Sequence, residues 1–225
     1  MDIIARIHND FPTKFGLPRQ AGLAPSLRSR IVFEPAFRVP EALRGLDGFS
    51  HIWLIWGFSA NETEAADKPF SPTVRPPRLG GNVRMGVFAT RSPFRPNGLG
   101  LSSVRLEGIE SDEADGLVLI VSGADLMDGT PIYDIKPYLP GVDSHPDATE
   151  GFVGTHKQEL LDVEIAPELE ALLTEAQVAT LREILAQDPR PAYHAEGADA
   201  SRVYGLTYAG RDIHFTVEGH LIKAR

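Results

Sequence analysis

Proline and glycine interrupt the first 140 residues of this chain so often that no long helix fits between the interruptions. They cluster at Phe11–Pro25, Pro69–Gly81 and Pro93–Gly100, and the runs between these clusters are rich in Val, Ile, Leu and aromatic residues. Proline fixes φ and removes a backbone donor, while glycine frees the chain for tight turns, so each cluster ends whatever element precedes it. The runs predict short strands at Ile3–His8, Ile31–Phe37, His51–Phe58, Arg84–Ala89, Leu101–Ile109 and Leu117–Ala124. One short helical signal intervenes at Pro40–Leu46, with Pro at its start and Glu41 in its first turn. A doubly wound parallel sheet needs helices of about 10–15 residues between strands, and none is available. A β-barrel or sandwich is expected instead, with loops long enough to carry function.

The pattern changes at Pro137–Pro146, where Pro140-Gly141-Val142-Asp143-Ser144-His145-Pro146 marks a linker or turn. Beyond it, Gln158–Ile165 reads as a strand. Pro167–Gln187 reads as a helix, because Leu169, Leu172, Leu173, Ala176, Leu181, Ile184 and Leu185 recur at three- and four-residue spacing before Asp188-Pro189. Val203–Ala209, Asp212–Val217 and Leu221–Lys223 follow as strands separated by Gly210-Arg211 and Glu218-Gly219. The expectation is a mainly β fold: a β-barrel core with long loops over residues 1–143, plus a small α+β C-terminal domain over residues 144–225.

Composition narrows the class. With 42% hydrophobic and 24% charged residues, the chain is neither disordered nor fibrous. Its longest apolar stretches, Ile52–Trp56 and Leu117–Val121, are too short to span a bilayer. It has no cysteine, which excludes a disulfide framework, a thiolate nucleophile and a zinc–thiolate site. The start, Met-Asp-Ile-Ile-Ala-Arg, carries neither a basic nor an apolar signal region, and we expect the cytoplasm.

The formal charge of -9 argues against a nucleic-acid partner until its distribution is considered. Residues 1–143 carry 15 Lys and Arg against 17 Asp and Glu, whereas residues 144–225 carry 7 against 14. From Lys68 to Arg105 there are seven basic residues (Lys68, Arg75, Arg78, Arg84, Arg91, Arg95 and Arg105) and no acid. Such a stretch is either a solvated arginine-rich loop or a surface facing phosphate or carboxylate groups.

Familiar chemical signatures are missing. Gly98-x-Gly100 lacks the third glycine of a dinucleotide fingerprint and precedes a strand, and there is no Walker loop, no Gly-x-Ser-x-Gly elbow and no paired-histidine helix. The seven histidines are scattered, so no metal is expected. Three segments carry more polar chemistry than turns require. Lys14-Phe15-Gly16-Leu17-Pro18-Arg19-Gln20 presents a cation-rich loop stiffened by Pro18, or simply a β-turn with solvated charges. Thr90–Ser102 carries Arg91, Arg95 and Asn97 on a backbone with few conformations, which suits either a ligand wall or a decorated strand connection. Gly123–Tyr138 contains Asp125, Asp128, Asp134, Lys136, Tyr133 and Tyr138; Asp128-Gly129 is a turn signal, but the remaining residues are the materials for holding a planar, hydrogen-bonding ligand.

These three segments, with Leu46-Asp47-Gly48-Phe49-Ser50-His51-Ile52-Trp53 and Pro72-Thr73-Val74-Arg75-Pro76-Pro77-Arg78-Leu79-Gly80-Gly81-Asn82, closely resemble the TsaA-like (TrmO) family. The likeness runs over nearly the whole chain and includes Ala186-Gln187-Asp188-Pro189-Arg190-Pro191-Ala192-Tyr193 in the tail. The resemblance implies an S-adenosylmethionine-dependent tRNA methyltransferase with a β-barrel core, usually homodimeric, and without a Rossmann fold. Its members methylate N6 of threonylcarbamoyl-adenosine next to the anticodon of threonine tRNA. The family pattern places the cofactor against Pro18, Arg19 and Gln20, against Arg91 and Leu101, and against the turn of Ala124, Asp125, Leu126 and Met127. A further contact falls at Ser59 and Ala60, where the family commonly has a histidine and a polar residue.

The resemblance leads to expected roles. Asp128 or Asp134 accepts the N6 proton, and Lys136 or Arg95 binds the threonyl carboxylate or a phosphate. Arg75, Arg78 and Arg84 meet the anticodon loop. The alternative is a noncatalytic module that binds S-adenosylmethionine or RNA as a sensor or adaptor. Without cysteine, any methyl transfer is direct or uses another group.

Overall fold

Alternation of inward and outward residues builds several strands of the first half, whereas the apolar run Leu117–Val121 is buried almost throughout. In the computed structural model, which describes residues 1–59, 70–76, 79, 83–155, 159–190 and 201–225, β1 (Ala5–His8) buries Ala5 and Ile7 and turns Arg6 and His8 outward. It is followed by β2 (Arg28–Phe33), β3 (His51–Gly57), β4 (Thr73–Val74), β5 (Met85–Gly86), β6 (Leu99–Asp112), β7 (Gly116–Ser122) and β8 (Pro131–Pro137). Six of these pair antiparallel in the order β1-β2-β7-β6-β3-β8, and Ala5 opposite Ile132 brings β8 back to β1. Inside this ring Ile7, Ile31, Ile52, Leu54, Leu119, Val121 and Ile132 are fully buried. Each such side chain contributes about 1.5–3 kcal/mol. The small β4–β5 ribbon stands apart from the ring.

The second half forms β9 (Asp162–Ile165), β10 (Tyr204–Tyr208), β11 (Arg211–Glu218) and β12 (Leu221–Ala224), in sheet order β10-β11-β12-β9 with β9 parallel to β12. The helix Glu175–Ala186 contributes Leu181, Ile184 and Leu185 to the core beside Tyr208, Ile213, Phe215 and Ile222. Phe11, Ala24 and Leu27 belong to this same core. The long connection between β1 and β2 therefore leaves the ring, packs into the C-terminal sheet and returns.

Several elements depart from expectation for local reasons. The strand expected to Phe37 stops at Phe33, because Pro35 starts a 3-10 turn over Pro35–Phe37; Pro40–Leu43 is likewise a 3-10 turn. The strand expected over Arg84–Ala89 is only Met85–Gly86, followed by a 3-10 turn. The expected helix from Pro167 breaks after Glu170 and restarts at Glu175, where Thr174 and Gln177 cap each other's backbone N–H in a capping box. β8 was hidden between two prolines and among acids that read as turn and site residues.

Candidate functional site

The three polar segments converge where the β1–β2 connection meets the start of β6 and the turn after β7. Two close backbone contacts lock the first and third together: Gly22 N–H donates to Gly123 O at 2.8 Å, and Gly123 N–H donates to Leu27 O at 2.9 Å. Gly123 has φ +73, and a Cβ there would lie 3.4 Å from the Gly22 backbone. A side chain at this position would be both strained and crowded. The second segment is tied in by Arg91 Nη1, which donates to Gln20 Oε1, and by Phe58 N–H, which donates to Gly98 O at 2.9 Å.

Asp125 lies at the centre. Its Oδ1 accepts from Ser102 Oγ at 2.5 Å, Ser102 Oγ accepts from the Trp56 indole Nε1 at 3.0 Å, and the Ala21 backbone N–H also donates to the carboxylate. Burial pushes the Asp125 carboxyl above the ordinary carboxylate range, while Ser102, the backbone donors and the Arg91 charge act against that shift. Trp56 packs so close to β6 that a Cβ on Gly100 would fall 2.2 Å from its ring. The site is thus a half-buried carboxylate with an orienting hydroxyl, facing an exposed guanidinium and an amide. An acid and a base set side by side can bind a zwitterion or both ends of a polar ligand.

The expected residues divide clearly. Gln20, Arg91 and Asp125 are brought together. Pro18 is buried beside them, Met127 is half-buried, and Ala124 and Leu126 are fully buried in the ring core, so the last two face away from solvent. Arg19 turns toward the C-terminal half, donating to the carbonyls of Asp188 and Arg190. Ser59 is half-buried after β3, and Ala60 lies outside the described residues. Leu101 is 58% exposed on the outer face of the ring, opposite Ile55, which in turn pairs with Asp134.

The four residues expected to act on the acceptor are dispersed. Asp128 Oδ1 accepts from His8 Nδ1 at 3.2 Å and from the Asn9 backbone at 3.1 Å, a turn-forming role beside Gly129 at φ +74. Asp134 and Lys136 pair at 2.9 Å on the outer face of β8. Arg95 folds back onto Thr90 O and Ser92 O at 3.1 and 3.3 Å, bracing its own loop.

Arg75 and Arg84 are both exposed and occupy the positions next to the Val74–Met85 pair of the β4–β5 ribbon; Arg78 lies outside the described residues. At the ribbon's other end, Phe70 and Phe88 are 54% and 73% exposed with ring centroids 6.2 Å apart. These two rings, Trp56 and Ser102 were missed from sequence. Ser102 had one signal: a hydroxyl on the inward phase of β6, where Val104 and Leu106 follow.

Comparison with known proteins places the chain among methyltransferases. Residues 6–144 match the family described as "tRNA-methyltransferase O N-terminal domain", and residues 158–224 match "TrmO C-terminal domain". The chain is 40% identical over 209 residues to a "tRNA (adenine(37)-N6)-methyltransferase" of Escherichia coli, covering 90% of this chain and 86% of that one. It is 42% identical over 219 residues to a "Putative S-adenosylmethionine-dependent methyltransferase RcsF" of Pseudomonas aeruginosa, covering 94% and 90%. A solved structure titled "Crystal structure of TrmO" superposes with TM-score 0.76 at 35% identity, over 98% of this chain and 94% of that one.

Proposed function

The chain belongs to the TrmO family of tRNA methyltransferases, and from that premise we propose that it moves a methyl group from S-adenosylmethionine to N6 of adenosine 37 in tRNA. The acceptor in this reading is threonylcarbamoyl-adenosine of threonine tRNA. The observation that carries the site assignment is the convergence of Gln20, Arg91 and Asp125 on one place, from three segments far apart in sequence.

The donor set fits the cofactor. S-adenosylmethionine has a cationic sulfonium, an ammonium, a carboxylate and an adenine. Arg91 and Gln20 suit its carboxylate, and the Asp125 carboxylate suits its ammonium or a ribose hydroxyl. When bound, the cofactor supplies a methyl group on positively charged sulfur. The protein's part is to hold the acceptor nitrogen in line with that methyl group at about 3–3.5 Å, and to take up the N6 proton as the new N–C bond forms and the S–C bond breaks. Asp125 is the half-buried carboxylate at the site. Asp128 and Asp134 retain the role only if the bound RNA reaches their outward-facing carboxylates.

The β4–β5 ribbon supports an RNA face. Arg75 and Arg84 are exposed and adjoin the Val74–Met85 pair, and two cations at one end of the ribbon suit phosphate groups. Phe70 and Phe88 offer exposed aromatic faces at the ribbon's other end, and unpaired bases stack on such faces. We further read the ring of six strands as the β-barrel core, residues 1–143 and 144–225 as two domains, and the cytoplasm as the compartment. We also read a homodimer, for which the exposed apolar side chains Leu101, Leu139 and Val142 are available, 44–68% exposed. No helix among the described residues is long and apolar enough to cross a membrane.

The deciding experiment incubates purified protein and S-adenosylmethionine with threonylcarbamoylated or unmodified threonine tRNA and identifies nucleosides by mass spectrometry. A mass gain of one methyl on the threonylcarbamoylated nucleoside alone is expected. Cofactor binding without transfer to either RNA would leave a noncatalytic sensor as the better reading.

A further inference from the structure

Two neighbouring side chains of the β1–β2 connection point at different partners. Gln20 receives Arg91 on the site side. Arg19 reaches the other way, and its Nη2 donates to Asp188 O at 3.1 Å and to Arg190 O at 3.3 Å. Those two carbonyls belong to the turn that ends the helix Glu175–Ala186 in the C-terminal half.

That turn is rigidly made. Asp188 sits in the left-handed region at φ 48, a conformation that Asp tolerates better than most residues. Its carboxylate accepts from Arg190 Nε at 2.7 Å, Arg190 Nη2 at 2.8 Å and the Arg190 backbone N–H at 3.3 Å, and the Arg190 side chain is only 9% exposed. A bidentate pair of this kind fixes direction as well as distance. Withdrawn from water, it is a weak source of stability compared with apolar packing, so its distinctive contribution is the orientation of the carbonyls it carries.

The connection is held just after Gln20 by the Ala21 and Gly22 N–H groups, which donate to Asp125 and to Gly123 O, and just before it by Arg19 on this turn. Its ends are secured: Phe11 packs on Tyr208 with centroids 4.7 Å apart, Gln177 Nε2 donates to Asp10 at 3.0 Å, and Ser26 donates through N and Oγ to Glu183 at 3.0 and 2.8 Å. Between these ends lie the residues that face Arg91. A residue left unordered there would lose backbone entropy when ligand binds, and pre-ordering removes that cost.

We propose that the Asp188-Pro189-Arg190 turn is a positioning element of the methyl-donor site, holding Arg19 so that the adjacent Gln20 meets Arg91 in a binding-competent arrangement. The proposal rests on the reading of Gln20, Arg91 and Asp125 as that site. It gives the C-terminal half a part in donor affinity without placing any of its atoms against the reacting groups.

The test measures binding of S-adenosylhomocysteine by calorimetry to the wild-type chain, Arg190→Ala, Arg190→Lys, Arg19→Ala and the Arg19→Ala/Arg190→Ala double variant, with thermal melting of each. Arg190→Ala is expected to weaken binding about 5–20-fold and Arg190→Lys about 2–5-fold, because an ammonium keeps the charge and loses the fork. In steady state the KM for the donor rises while kcat stays within about twofold. On the Arg19→Ala background the Arg190→Ala effect should collapse, as for two residues acting through one contact. Unchanged affinity in a cooperatively melting Arg190→Ala, or additive losses in the double variant, would overturn the proposal; if Arg190→Ala fails to fold, Arg190→Lys decides by the same criterion. A wild-type chain that does not bind the probe overturns the donor-site reading and this proposal together, whereas wild-type binding with indifferent variants overturns this proposal alone.

Discussion

Ser102 Oγ donates to Asp125 Oδ1 at 2.5 Å while accepting the Trp56 indole N–H at 3.0 Å, so one hydroxyl links the interior of the ring to the carboxylate of the site. Removing it in Ser102→Ala strips Trp56 of its acceptor and Asp125 of a donor. A buried donor left without a partner costs about 1–3 kcal/mol, and a loss of that size is expected in urea denaturation followed by tryptophan fluorescence. Losing a bond that favours the charged form also drives the Asp125 carboxyl further upward. Donor binding should then weaken on the acid side at a higher pH than in the wild type. A variant with wild-type stability and an unmoved acid limb would show that the hydroxyl orients nothing.

Asp125 itself gives a pH-dependent signature. Burial is the largest influence on its carboxyl and raises it above the usual 3.8. Between that value and its folded-state value, the folded chain keeps a proton that the unfolded chain has released. The group's contribution to stability is therefore complete below 3.8 and is lost as pH rises through the folded-state value. Asp125→Asn removes this loss. Its stability relative to the wild type should improve as pH is raised from about 3 to about 7, read from urea midpoints across the series, while donor binding falls. A stability difference that stays constant over the range would contradict the assignment.

Gly100 tests the packing behind the carboxylate. A methyl group there would fall 2.2 Å from the Trp56 ring, so either the indole or β6 must move. Gly100→Ala should destabilise by at least the roughly 1–3 kcal/mol typical of overpacked cores, and the moved indole should loosen its bond to Ser102. Near-wild-type stability with unchanged tryptophan emission would mean that the ring accommodates the methyl group freely.

Much of this was legible because local chemistry and tertiary structure agree. Ile7 and Ile31 lie in alternating patterns that match their burial in the ring, and Leu54 and Val121 lie in short apolar runs bounded by turn residues, the pattern of strands buried in a core. Asp128-Gly129 reads as a turn and is one. The failures came where a contact distant in sequence decides the outcome. Nothing near Phe11, Ala24 or Leu27 announces that they complete a core whose other members begin at Ile165. Arg19 looks like a site cation until Asp188 and Arg190 are brought beside it across the chain. Among three aspartates in one motif, local pattern could not distinguish Asp125 from Asp128 and Asp134. Ser102, Arg91 and Ala21, which separate them by burial and hydrogen bonding, come from other segments.

The β4–β5 ribbon separates electrostatic from stacking contributions to RNA binding. Arg75 and Arg84 sit next to the last ribbon pair at one end, and Phe70 and Phe88 flank the other, where Val87 N–H donates to Pro72 O at 3.0 Å. If both arginines neutralise phosphates of the unpaired anticodon loop, each contributes about 0.7 to the slope of log affinity against log salt concentration. Arg75→Ala/Arg84→Ala should therefore flatten that slope by about 1.4 and weaken binding alike for threonylcarbamoylated and unmodified anticodon stem-loops. Phe88→Leu removes an aromatic face while keeping apolar bulk. It should cost about 1–3 kcal/mol if a base stacks there, leave the salt slope unchanged, and be restored by Phe88→Tyr. Both measurements need only fluorescence anisotropy over a salt series, with light scattering to record the oligomeric state of each variant. Should Phe88→Leu alter the oligomeric state and spare RNA affinity, the exposed rings belong to a contact between protein chains, and the RNA surface must be sought elsewhere.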